Sequence, residues 1–521
     1  MRKPGSLLPF IIAALLVAAE AGPLRAQHLP VYGSPAYVLG VGGNIADGVA
    51  VAINNNGIAI GTTNVYDGTG THFGVRAVKW SSSSSGELGT LGSDTTHTRV
   101  YAINDQGIAV GHATNGLAAH AVRWSADGAA TQLDSLGGAG DHSALAVNDE
   151  GTAAGYSLPG SPNESRATRW DAGGTNATQL GVSNAFPYEG ATAINNAGDV
   201  IGWGHHRFNI GGTRAIRWDS AGQPALLDLL GIQNTTKWLS NVADINDAGT
   251  TVGWAADYQL FGVYNGRFAA RWKAGGTAIT RLGNLWNGID GKPHAGAAAI
   301  NEAGSIVGSE YNNANIMTAI RWSAGQTVPT LLGNLGTRPD GFWFSDAFDI
   351  NAAGVAVGTA EKYDALKNSL GPRAVYWALD GNAVDLNTLI DPASGWRLMS
   401  ANSISDTGWI AGYGYFDPDG PNGQAEYYRL FSIQVPLAIA RDFNHDGFVD
   451  AADYVVWRKT MGKPAEYDTW RTHFGEAFGS GSAAGANAIA PEPTTSMMFI
   501  VTAGGIRWRR RHLGARVSTT R

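Results

Sequence analysis

The chain contains no cysteine, which excludes disulfide staples, thiolate metal centres and a cysteine nucleophile. Charge is sparse: Asp, Glu, Lys and Arg make up 15% of 521 residues. With 36 basic against 43 acidic side chains the formal net charge is −7, too mild to point to nucleic acid as a partner. His-Glu-x-x-His, Gly-x-Ser-x-Gly, a P-loop and a dinucleotide fingerprint are all missing, so the common sequence signatures of zinc peptidases, serine hydrolases and nucleotide enzymes do not apply. Long apolar runs are missing too. What the chain has instead is glycine, 71 residues, with Pro 20 and Trp 17, in a sequence that is 44% hydrophobic. That is too apolar for a disordered chain and too glycine-rich for a mainly helical one.

The two ends carry targeting grammar. Arg2 and Lys3 precede an apolar stretch at residues 7–19, followed by small residues around Ala21 and Ala26, the three-part pattern of a secretory signal peptide. The stretch is about 13 residues long, short of the ~20 that a spanning helix needs. Residues 1–26 are therefore expected to be removed on export. At the other end, a Gly/Ser/Ala linker at 479–490 leads to Pro491-Glu492-Pro493, an apolar stretch at 496–506, and Arg509-Arg510-Arg511 before a basic tail at 512–521. An apolar segment closed by arginines keeps its basic end in the cytoplasm. This order resembles the PEP-CTERM sorting signal. The resemblance implies transient C-terminal membrane anchoring, cutting by an exosortase-type processing enzyme and release to the cell surface or extracellular matrix.

Between the ends the sequence repeats. Ala-Ile-Asn-x-x-Gly, three mostly apolar residues or Thr, then Gly recurs eight times, starting at Ala52, Ala102, Ala146, Ala193, Asp244, Ala299, Asp349 and Ser403. The spacing of about 44 to 55 residues suits four-stranded propeller blades. Asn opening a turn can hydrogen-bond its own backbone and Gly at the fourth place accepts positive φ, so each copy reads as strand, tight turn, strand. A second block ends in Trp, as in Arg76-Ala77-Val78-Lys79-Trp80, and a third, Leu-Gly, precedes each hairpin as its own short strand, as in Leu88-Gly89. Apolar residues on both strand faces call for sheets covered on both sides, and face-to-face packing in a ring meets that need. The expectation is an all-β propeller of about eight blades over residues 27–436, with seven as the alternative. The recurring Arg and Trp are expected to pack blade against blade. Binding is expected in what varies: Trp203 to Phe208, Trp254 to Tyr264 and Phe342-Trp343-Phe344 are read as aromatic loops. These blocks resemble the HAF repeat family of extracellular bacterial proteins, which pairs a Leu-Gly strand with Ala-Ile-Asn-x-x-Gly and closes on a His-Ala-Phe-like strand ending in Trp. Only His120-Ala121 keeps that histidine, and the last copy departs most, with Tyr427-Tyr428-Arg429-Leu430 in place of the Trp strand.

After Pro436 one specific chemical motif appears. Asp442, Asn444, Asp446, Asp450 and Asp453 place side-chain oxygens at loop positions 1, 3, 5, 9 and 12, with Gly447 at 6 and the Phe448 carbonyl at 7. Ca²⁺ takes six to eight such oxygens, and this spacing curls them round one centre. With Tyr454-x-x-Trp457-Arg458 echoed at Tyr467-x-x-Trp470-Arg471, residues 437–478 resemble a type I dockerin, a helical pair with one calcium loop. Ala451 and Ala452 stand where dockerins often carry Ser-Thr for cohesin recognition, which counts against cohesin docking. The functional expectation is an exported structural, adhesive or binding module of the cell envelope. The alternative is a carbohydrate-binding or polysaccharide-degrading protein that uses the propeller face.

Overall fold

The computed structural model describes residues 48–435 apart from breaks at 67–71, 93–96, 116–117, 138–139, 160–163, 182–185, 206–211, 232–238, 260–261 and 418–425, together with Tyr454 and Arg458, both helical. The calcium loop and the sorting signal lie outside the described residues. The chain divides into two compact units, residues 1–435 and 436–521.

The first unit is an eight-bladed β-propeller. Eight separate antiparallel sheets follow one another along the chain. Blade 1 shows the plan: an inner first strand Gly48–Ile53, then Ala59–Tyr66, His72–Trp80 and a short outer fourth strand Ser85–Glu87. Blades 2 to 7 repeat it from Thr98, His142, Tyr188, Ser240, Ala295 and Ser345. Blade 5 gains a fifth strand, Leu230–Gly231, parallel to its second. Blade 8 has three described strands, Trp396–Ile404, Trp409–Phe416 and Tyr427–Gln434. Neighbouring first strands pack against each other all the way round, and Gly48–Ile53 packs against Trp396–Ile404, which closes the ring.

The repeated residues build the seams. All eight turn glycines, Gly57 to Gly408, have φ between +72° and +89°, as the hairpin reading requires. Asn54 Oδ1 accepts the Ile58 N–H at 2.9 Å, and its Nδ2 donates to the Asn104 carbonyl of the next blade at 2.9 Å. The same amide crossing links blade to blade as far as Asn351 and Ser405. One asparagine therefore shapes its own turn and ties it to the neighbour. At the eighth seam Ser405 has no amide, and Thr407 Oγ1 donates instead to the Asn55 carbonyl at 2.7 Å.

The tryptophans fill the seams rather than the interiors of single sheets. Trp124 of blade 2 packs with Ile60, Ala77 and Leu88 of blade 1 and with its own Val100 and Val122. Its indole donates to the Gly89 carbonyl at 2.7 Å, and Trp218, Trp322 and Trp377 do the same to Gly181, Gly283 and Gly333. The Leu-Gly block is thus not a strand opening the next hairpin. Leu88 N–H still bonds to the Ala77 carbonyl of its own third strand, and Gly89 N–H already bonds to the Gly128 carbonyl of blade 2. The block ends one blade and steps to the next, because its leucine needs the apolar seam and its glycine carbonyl is the acceptor the indole needs. In blades 2, 3, 4 and 6 the arginine before the Trp adds a clamp, as where the Arg123 guanidinium donates to the carbonyls of Trp170, Asp171 and Gly174 at the outer turn of blade 3.

Candidate functional site

At the turn end of the ring, a cavity of about 280 Å³ is lined by residues such as Ile53, Asn54, Asp105, Asp149, Asp247 and Asp406. Its carboxylates look available for a cation but are used. Asp105 accepts the Asn55 N–H and amide, Asp149 accepts from Asp105 N–H and Asn196, Asp247 accepts from Asn196, and Asp406 accepts the Ala352 N–H. This is a second hydrogen-bonded ring that ties the turns together. Among the described residues, no group of three or more His, Asp and Glu is arranged to hold a metal ion.

Variation between copies collects higher in the channel. The residue eight places after each turn Asn is Thr62, His112, Tyr156, Trp203, Trp254, Ser309, Thr359 and, after Ser405, Tyr413. Each lies on a second strand directly opposite a first-strand residue: Arg99 faces His112, Ser143 faces Tyr156, Gly190 faces Trp203, Asn241 faces Trp254 and Asp346 faces Thr359. Directly paired residues share a face of the sheet. That face meets the next blade beside the axis, since His112 Nδ1 lies 3.2 Å from Ser143 Oγ and Thr359 Oγ1 donates to the Met399 carbonyl at 3.0 Å. All eight except the buried Thr359 are half-exposed.

Four adjacent blades, 2 to 5, place a ring at this level: His112, Tyr156, Trp203 and Trp254. Glycine makes the room. A Cβ on Gly190 would stand 2.9 Å from Trp203 Cζ2, and Gly296 of the next blade lies against Trp254. Tyr101 packs on His112 with centroids 5.6 Å apart, and Arg267 stands 5.4 Å over Trp254. Burial, and then the Arg99 cation, push the His112 pKa down, so the imidazole is neutral at pH 7. Burial raises Tyr156 as well.

Buried carboxyl groups lie on blades 5 to 7. Burial pushes Asp346 up to about 6, although the Ser309 hydroxyl donates to it, and Asp244 up to about 7. Glu310, also raised to about 7 by burial, accepts the Leu285 N–H at 2.9 Å. Ser309 and Glu310 are successive strand residues and so point to opposite faces, which separates Glu310 from Asp346. Asp244 and Asp349 hold two blade seams, accepting the N–H of Ile300 and of Ile404, both at 2.9 Å. Protein surrounds both carboxyls closely enough to disfavour the charge.

A carboxyl whose folded pKa lies above its unfolded value favours the protonated form in the fold. Its contribution is therefore best below the unfolded pKa and is lost as pH rises from the ordinary aspartate range of about 4 through 7. Asp244→Asn should flatten the fall in stability over that window, measured as denaturation midpoints across pH. An unchanged slope would show that Asp244 does not titrate there.

Two of the three expected aromatic loops begin on strands, whereas Phe342-Trp343-Phe344 lies in a connection as expected. Trp203 and Trp254 lie on strands Val200–His205 and Thr251–Tyr258, because their indoles cover the neighbouring glycine floors. Trp343 lies in the connection into blade 7, edge-on to Trp286 at 6.3 Å. His206, Arg207 and Phe208 are outside the described residues. Tyr101, His112 and Tyr156 were missed by looking for loops, although comparing one column across the copies would have found them.

No family model matches the sequence, and no curated protein matches it. Among solved structures, the propeller domain of the Trilobed protease from Pyrococcus furiosus, described as having an open velcro topology, is similar at 9% identity and TM-score 0.39, over 67% of this chain and 97% of its own. An oligogalacturonate lyase in complex with manganese gives 10% and 0.39, covering 75% and 98%; the Dos1 propeller gives 10% and 0.40, covering 75% and 93%. These likenesses carry no argument about activity, and the eight blades stand on their own strand order and register.

Proposed function

We propose that the chain is an exported, surface-held propeller that works as a binding module of the cell envelope or extracellular matrix, and that its ligand is an extracellular polysaccharide held on the channel wall of blades 2 to 5. One observation carries the reading. The columns that repeat are consumed by seams, whereas the varying column gathers half-exposed rings beside Arg99, Ser143 and Asn241. Aromatic faces take the apolar side of a sugar ring, and adjacent polar groups take its hydroxyls. In this reading residues 1–26 export the protein, a Ca²⁺ ion at Asp442 to Asp453 orders the appended helical pair, and an exosortase-type enzyme acts at Pro491 to Pro493.

A polysaccharide binding screen of the mature protein tests it. Trp203→Ala and Trp254→Ala should each weaken the bound glycan about tenfold, roughly 1.4 kcal/mol, with an unchanged melting temperature. Undiminished binding by the double variant would remove the channel wall as the site. Asp346 favours a second, hydrolytic reading, since a pKa of about 6 suits a general acid. Sugar release by the wild type that disappears in Asp346→Asn while binding persists would select it.

A further inference from the structure

One cation of the channel wall has no counter-charge. Trp254 lies on the second strand of blade 5, and Ala256, two residues further along, pairs with Arg267 of the third strand. Trp254 and Arg267 therefore share a face of the sheet, the face that meets Gly296 of blade 6. The Arg267 guanidinium stands 5.4 Å over the Trp254 ring. Among the described residues it makes no hydrogen bond and no ion pair, and its Nε is buried. The architecture does not ask for this arginine. Its place is taken by Ala119, Thr213 and Met317 in blades 2, 4 and 6. The arginines that do recur, such as Arg123 and Arg217, spend their donors on carbonyls of the next blade.

A second cation lies beside the first. Lys292 Nζ stands 5.2 Å over the Tyr264 ring, and among the described residues this ammonium makes no hydrogen bond and no ion pair. Tyr264 pairs with Tyr258, which lies on the same face as Trp254, and it feels the Arg267 charge. The carboxylates of this region are engaged elsewhere. Asp257 accepts from the Asn265 amide at 2.7 Å, and Asp290 accepts the Lys292 N–H and contacts His294 Nε2, both at 3.0 Å. Trp254, Tyr264, Arg267 and Lys292 are all half-exposed.

Resting on the polysaccharide reading above, we infer that the polymer is a polyuronate, and that Arg267 takes a uronate carboxylate while Lys292 supplies a second positive charge. The planar guanidinium fork matches the two oxygens of a carboxylate, and the Trp254 ring beneath it fixes its plane. A uronate carries its carboxylate at the edge of the sugar ring. Aromatic faces next to the cation can then take the apolar side of the same sugar. A chain of net charge −7 repels a polyanion over most of its surface, so tight binding of one needs a local site of this kind.

Alginate and its carboxyl-reduced, neutral form test the inference by calorimetry on the mature protein. The wild type should bind alginate at least tenfold more tightly than the neutral polymer. Arg267→Gln should remove most of that preference and Lys292→Gln part of it, each with an unchanged melting temperature. Arg338→Gln, an equal loss of charge at an exposed side chain of another connection, should leave the preference intact. Equal binding of both polymers by the wild type would overturn the inference and leave the glycan reading standing. So would binding of neither while another polysaccharide is bound, whereas a protein that binds no polysaccharide at all would remove both. An equal loss in Arg338→Gln would reduce the effect to overall charge and overturn the inference as well.

Discussion

Gly155→Ala is expected to cost roughly 4 kcal/mol or more, at the extreme end of single substitutions. A Cβ on Gly155 would stand 1.9 Å from the Ser143 carbonyl oxygen, and backbone on both sides leaves no flexible side chain to yield. Gly111, Gly202, Gly253, Gly308, Gly358 and Gly412, the second glycines of the other motif copies in blades 2 to 8, would each meet a first-strand carbonyl at 1.9–2.1 Å. The cause is a bulge that recurs in every first strand: between Ala144 and Ala146 the register slips past Leu145, and the carbonyl is pushed toward the partner glycine. None of these glycines has positive φ, so space alone imposes the residue. Gly86→Ala supplies the control, since nothing lies within 4 Å of its added Cβ, and it should change stability by less than about 0.5 kcal/mol. Chemical denaturation of the two variants checks the pair. Similar midpoints would mean that the bulge relaxes freely.

The repeated half of this architecture was legible because its signals are local. Asn54 and Gly57 sit within one turn, and their roles follow from backbone geometry whatever surrounds them. Blade number followed from counting such turns. The Leu-Gly block was harder. In a chain of contiguous repeats, Leu88-Gly89 reads equally well as the start of one unit or the end of another, and only the indole of Trp124 settles its place. The channel wall was harder still. His112, Tyr156, Trp203 and Trp254 are united by a register position and by glycines on the opposing strand, not by any shared residue type. A search for aromatic loops picked out Trp203 and Trp254 but passed over His112 and Tyr156 for that reason. Asp346 is similar: its raised pKa comes from burial in the folded ring, which its own stretch of sequence does not show.

Trp124→Ala is expected to destabilise the ring by roughly 4–6 kcal/mol. Truncating a buried Trp costs about 3–5 kcal/mol through lost burial and the cavity left behind, and the Gly89 carbonyl loses its indole donor, worth about 1 kcal/mol or more in a buried site. The side chain is fully buried at 0% exposure, and it touches both blades of its seam. The damage should therefore fall on ring closure as well as on blade 2. Trp124→Phe separates the two parts: it keeps most of the packing, loses the hydrogen bond and should cost less than half as much. Hydrogen exchange locates the effect. Amides of Ala59–Tyr66 in blade 1 and of Ala109–Asn115 in blade 2 should lose protection together, because Ile60 of the one and Ala109 and Ala113 of the other belong to the apolar cluster that Trp124 fills. If only blade 2 loosened, tryptophan would be a blade-core residue and the seam would be held by the asparagine and arginine latches alone.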